Sequence, residues 1–139
     1  MKKREEADRI IWCDPGFFPV HYGFCPSEAA WNREMKRLGC PGEQFPETDA
    51  SATTFANKTT GDVTAIVCLH ERHDAKSAVA VMAMLAHEAV HVWQTIRKEM
   101  GEREPSIEFE AYAIQDIVLR LGAAYEQSRR PKWARNRRT

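Results

Sequence analysis

The sequence predicts a single α+β domain: a short β-sheet, a long helix bearing the densest chemistry in the chain, and a second helix after it. Three observations predict it. The chain has 139 residues, 43% hydrophobic and 29% charged, which suits one globular domain with its own core. Two runs rich in β-branched and apolar residues, "SATTFA" and "DVTAIVCLH", lie mid-chain and are separated only by "NKTTG". From about Ala75 to Met100 nothing interrupts a helix, and Gly101 is placed to end it. Residues 1–128 are read as the domain and 129–139 as a basic tail.

Taken in order, "CDPGFFPVHYGFCP" (13–26) is dense in Pro, Gly and aromatics and reads as an irregular packed loop. "SEAAWNREMKRLG" reads as a helix, with Ser27 as N-cap and Gly39 as its stop. Ala30, Trp31, Met35 and Leu38 fall at helical spacing, and the acids lie early and the bases late, as the helix dipole favours. The two apolar runs are expected to be strands, with a hairpin as one arrangement. In the second, residues 62–69, both faces are largely apolar, which predicts a covered strand. The segment "AVAVMAMLA" opening the long helix is apolar all round and predicts burial on every side. Pro105 suits a first helical turn. Ile107, Glu110, Ala111, Ile114, Ile117, Val118, Leu121 and Tyr125 then form a stripe at helical spacing.

Composition excludes several classes of function. No run approaches the ~20 apolar residues of a membrane span, and "MKKREEADRIIW" lacks the apolar core of a signal peptide. The expected setting is therefore cytoplasmic, with no membrane partner. Cys13, Cys25, Cys40 and Cys68 form no Cys-x-x-Cys pair and read as reduced thiols. The alternative is a disulfide between Cys13 and Cys25 or Cys40, should the protein be exported by another route. Net charge is zero, yet the last eleven residues hold six Lys or Arg and no acid. Such a tail either attracts nucleic acid or an acidic partner, or serves as a solvated solubilising segment. No phosphate-cradling glycine loop and no G-x-S-x-G is present, so nucleotide hydrolysis and serine esterase chemistry have no support.

The chemistry concentrates in "MLAHEAVHVWQ". On a helix, residues i and i+4 stack on one face about 6 Å apart, so His87 and His91 can offer their imidazoles to one metal ion. Glu88 stands roughly 100° further round, placed to act on a water rather than to ligate. Zinc with three protein ligands keeps a position for water and lowers its pKa to about 7. Glu88 would take that proton and pass it to the leaving amine. If the helix is buried all round, unpartnered imidazoles there cost several kcal/mol, which a metal relieves. The other reading is that ordinary hydrogen bonds satisfy both histidines, or that their face is open to solvent.

A third ligand is sought on the following helix, at Glu108 or Glu110. Glu110 lies on the apolar stripe and Glu108 on another face with Tyr112 and Gln115, so the stripe selects Glu110. Glu110 as a partly exposed acid paired with Arg is the alternative. Tyr112 is a candidate for oxyanion stabilisation, against simple packing with its hydroxyl at the surface. His70 and His73, in "HERH", are candidates to line the cleft. Trp93 is expected in the core.

These residues resemble the zincin metallopeptidases, and among them the gluzincins, whose third zinc ligand is a glutamate on a later helix. "EFEAYAIQ" is similar to the E-x-E-A-N-x-F-A segment of ImmA/IrrE-type gluzincins, and compact phage-encoded zincins are similar in style. The resemblance covers residues 63 to about 118. It implies His87, His91 and Glu110 as ligands of one Zn²⁺ per chain, Glu88 in catalysis, and a polypeptide substrate. It also implies an edge strand beside the cleft, here residues 62–69, that holds substrate by strand addition. His₂Glu suits zinc, although manganese, iron or cobalt also occupy such sites. The chain departs from the pattern in two ways. The interval from His91 to Glu110 is shorter than in the ImmA/IrrE group. Ile114 stands where thermolysin-like enzymes carry an aspartate, which leaves Asp116 or Gln115 as candidates to orient a histidine. The rival reading is a non-catalytic zincin-fold module that docks nucleic acid or an assembly through its basic tail.

Overall fold

The computed structural model describes residues 9–70 and 76–129. The element order is β1 (Ile11–Trp12), β2 (Val20–Cys25), α1 (Glu28–Arg37), β3 (Ala50–Ala56), β4 (Val63–Leu69), α2 (Ala78–Glu99) and α3 (Ile107–Arg129). The four strands form one mixed sheet in the order β1-β2-β4-β3. Helices α2 and α3 cover one face of this sheet and α1 covers part of the other, giving a three-layer α+β domain.

The two expected strands form a hairpin, with β3 and β4 antiparallel from Ala50↔Leu69 to Ala56↔Val63. Asn57 builds the turn: its side-chain oxygen accepts from the amides of Thr59 and Thr60 at 2.9 and 3.1 Å. β4 is covered on both faces, as its composition requires. Val63, Ala65, Val67 and Leu69 face the main core, while Ile66 and Cys68 face Trp31 and Met35 under α1.

The loop expected over 13–26 is half right. Val20–Cys25 is an interior strand, parallel to β4 from Val20↔Val63 to Cys25↔Cys68 and antiparallel to β1. The flanking Pro and Gly residues hid a run whose Val, Tyr and Phe suit a pleated, buried surface. Gly23 permits the crossing of β1, since a Cβ there would come within 2.8 Å of Ile10 and 2.9 Å of Trp12. All four cysteines are free.

Helix α1 follows its sequence signals. Ser27 Oγ accepts from the Ala30 amide at 3.1 Å, and Gly39 (φ +78°) ends the turn. Its buried face holds Ala30, Trp31, Glu34 and Met35, whereas Leu38, expected on that face, is 36% exposed. Burial of Glu34 is offset by Arg37, whose Nε donates to Glu34 Oε1 at 2.9 Å.

Helix α2 starts after a Ser77 cap and closes before Gly101 (φ +71°), within three residues of the expected limits. The expectation of burial on all sides is overturned. Val81, Leu85, Ala89, Val92, Trp93 and Ile96 are buried, but Val79 is 80% exposed and Met82 37%. Among the described residues the helix packs on one sheet face, on α3 and on Phe18, and its other flank is exposed. In α3 the stripe holds from Ile117 through Leu121 to Tyr125, while Ile107 at its head is 85% exposed. Ser106 caps this helix, its Oγ accepting from the Phe109 amide at 3.2 Å, so Pro105 lies just before the first turn and not in it. Among the described residues no helix is long and apolar enough to cross a membrane.

Candidate active site

His87 and His91 project from the open flank of α2, where both are exposed to solvent. The desolvation cost expected of them is therefore absent, and their pairing rests on geometry alone. Their Nε2 atoms are 3.2 Å apart, with ring centroids 5.0 Å apart and ring planes at 70°. His91 Nδ1 meets the Oε1 of Gln94 at 3.0 Å. With the amide so oriented, Nδ1–H of His91 donates to Gln94 Oε1. Gln94 was not among the residues singled out from the sequence. Its signal was the i+3 spacing from His91 on the same helix face.

Glu88 differs from its neighbours in burial. Only 6% of it is exposed, and removal from water raises its carboxyl above the ordinary carboxylate range, opposed by the nearby His87 and His91. Glu88 thus holds a proton more readily than a surface glutamate does, the property wanted of a group that takes and returns one.

The three residues border a hollow of about 600 Å³ between α2 and β3. Ala50, Ser51, Ala52 and Thr54 line it from the strand, and Thr95 and Lys98 extend it along the helix. A second hollow of about 400 Å³ shares Ala50, His87 and Glu88 and continues toward Asp49 and Met84. The strand beside the cleft is thus β3 and not residues 62–69. β4 is interior, while among the described residues β3 is bonded to β4 alone and forms one of the two sheet edges. Thr54 and Thr95 hydroxyls, 3.4 Å apart, tie this edge to the helix.

Glu110 is held elsewhere. Its Oε2 accepts from the indole Nε1 of Trp93 at 2.8 Å. Trp93 follows His91 by two residues, about 200° round the helix, and so points to the opposite side. There it is 2% exposed and packs against Phe18 and Phe109. The stripe argument was right that Glu110 turns inward and Glu108 outward, but the partner that Glu110 finds is the indole. Tyr112 is 65% exposed and Glu108 is also exposed, and neither lines the hollow. His70 stacks on Phe45, centroids 6.3 Å apart, on the α1 side of the sheet. His73 and residues 130–139 of the basic tail lie outside the described residues. Asp116 is paired with Arg120 at 3.0 Å.

A tetrahedral zinc with Zn–N bonds of about 2.05 Å places two such nitrogens about 3.3 Å apart. The histidine pair fits that spacing. Glu110 as placed does not fit, and among the described residues no group of three or more His, Cys, Asp or Glu side chains is gathered for a metal. Comparison with protein-family models, with curated proteins and with solved structures finds no match. Fold and site therefore define an α+β domain with an H-E-x-x-H helix facing an edge-strand groove.

Proposed function

We propose that the protein is a zinc-dependent metallopeptidase of the gluzincin type. The observation that carries this reading is the 3.2 Å approach of His87 and His91 Nε2 above a buried Glu88, all bordering one groove. When bound, zinc supplies a Lewis acid and lowers the pKa of its water. The remaining work falls to this chain. Gln94 fixes the ring of His91. Glu88 accepts a proton on its buried carboxylate and delivers it to the departing amine. The unpaired edge of β3 holds an extended peptide by main-chain hydrogen bonds. Glu110 is the third donor that the resemblance implies, and it serves only if its carboxylate leaves Trp93.

The test pairs metal content with cleavage. Untagged protein should bind about one zinc by elemental mass spectrometry, and His87→Ala should lose it. Wild-type protein should cut a proteome-derived peptide library, and Glu88→Gln should stop cleavage while keeping zinc and fold. Zinc retained by the His87→Ala, His91→Ala double variant, or cleavage that survives Glu88→Gln, overturns the reading.

The Trp93–Glu110 bond favours a second reading, a non-catalytic zincin-like module. Every proposed ligand has a partner without metal: the histidines each other and Gln94, and Glu110 the indole. In that case the protein takes up no zinc in the same assay. Deleting residues 129–139 should then abolish docking to nucleic acid or an assembly.

A further inference from the structure

The sheet face turned away from His87 is only partly roofed. Helix α1 covers the end formed by Cys25, Ile66 and Cys68. The other end is open as a hollow of about 820 Å³, the size of a small-molecule site. Its floor is a row across three strands, His21↔Thr64↔Phe55. Beside that row the Trp12 indole lies over Gly23, where a Cβ would meet its ring at 2.9 Å. Trp12 remains 44% exposed there and lines the hollow.

The rim is cationic. Arg37 closes it from the end of α1, and Lys58 from the β3–β4 turn. Asp62, the carboxylate among the described lining residues, already accepts from Thr60 Oγ1 at 3.0 Å. Arg37 is not a loose surface charge. The buried Glu34 grips it through Nε and Nη2, which fixes the plane of the guanidinium and leaves other N–H groups to bind outward. An apolar occupant would take His21, Thr64 and Lys58 out of water without giving them a hydrogen-bond partner. A planar ring bearing an anionic group satisfies both halves of the hollow.

We propose that this hollow binds a nucleotide, its base on Trp12 and its phosphate at Arg37 and Lys58. Base stacking on an aromatic side chain and charge-assisted hydrogen bonds from Arg to phosphate both contribute to nucleotide binding. The nucleotide arrives free or as a unit of a single strand, and the two sources share this chemistry. The hollow shares no lining residue with the groove at His87 and Glu88.

Calorimetry with AMP and with inorganic phosphate, and anisotropy with labelled octauridylate, test it on the full chain. AMP should bind, and Trp12→Ala and Lys58→Glu should each weaken it at least ten-fold, while His87→Ala leaves it unchanged. Lys58→Glu, in an exposed turn, decides the matter should Trp12→Ala fail to fold. Octauridylate binding much tighter than AMP, with the same dependence on Lys58, assigns a strand; otherwise the ligand is a free nucleotide. The proposal fails if neither AMP nor octauridylate binds. It fails equally if both bind undiminished in the variants, or if phosphate alone competes as well as AMP.

Discussion

The indole Nε1 of Trp93 donates to Glu110 Oε2 at 2.8 Å, fastening α3 to the side of α2 that faces away from His87 and His91. One hydrogen bond thus decides where the best candidate for a third ligand rests. It has a clear physical cause: a Trp that is 2% exposed must satisfy its N–H inside the protein.

Two substitutions separate the structural from the ligating role of Glu110. Glu110→Ala orphans the buried indole N–H and should cost about 1–3 kcal/mol, read as a lower Tm. Glu110→Gln keeps an acceptor and should hold Tm close to wild type. As the proposed third donor, Glu110 should nonetheless be required for metal, so Glu110→Gln should lose at least ten-fold in zinc affinity. Unchanged affinity removes Glu110 from the site.

Gln94 orients His91 through Nδ1. Gln94→Leu leaves the ring free to turn and to change tautomer, and should lower zinc affinity about 10–100-fold with little change in Tm. Competition against a chromogenic chelator reads this directly. An affinity equal to wild type would show that the contact orients nothing.

Gly23 lies where β1 crosses β2, and an added Cβ would meet Ile10, Trp12 and the Ile11 carbonyl at 2.8–3.0 Å. The last of these is backbone and cannot swing aside. Gly23→Ala should destabilise by about 1–3 kcal/mol as overpacking does. Denaturant titration is the check, and a stable variant would mean that β1 is not held against β2.

Burial pushes the Cys13 thiol up from 9.0 to about 11, with Arg120 partly opposing and Asp116 adding to it. Two pKa units mean about 100-fold less thiolate at pH 8 than in the unfolded chain. Iodoacetamide should therefore label Cys13 about 100-fold more slowly in native protein than in urea, as followed by peptide mass spectrometry. For stability the sign is fixed: the folded state keeps this proton longer, so its contribution falls as pH rises from about 9 to 11. A wild-type minus Cys13→Ala difference in Tm should shrink over that window. Equal labelling rates in the two states would contradict the burial of this thiol.

Local elements whose signals are carried by neighbours in the chain were legible in the residues alone. The Ser27 cap, the Gly39 and Gly101 stops, the hairpin turn at Asn57 and the limits of α2 all follow from backbone chemistry within a few residues. That His87 and His91 share a helix face was legible as well, because a period of 3.6 allows nothing else. What lies opposite those faces was set by long-range packing. Val20–Cys25 became a strand because β1 and β4 supply its hydrogen bonds from distant sequence. β3 rather than β4 became the edge because β2 inserts on the far side of β4. Four of the nine residues that open α2 are exposed and two are buried, because the sheet and α3 cannot wrap a whole cylinder, so composition overstated its burial. Glu110 turned inward as its stripe required, yet toward Trp93, since the rotation of α3 about its own axis is set by packing between helices. Helical spacing along one chain fixes that a side chain points inward; it holds no information on which partner the neighbouring helix will present there.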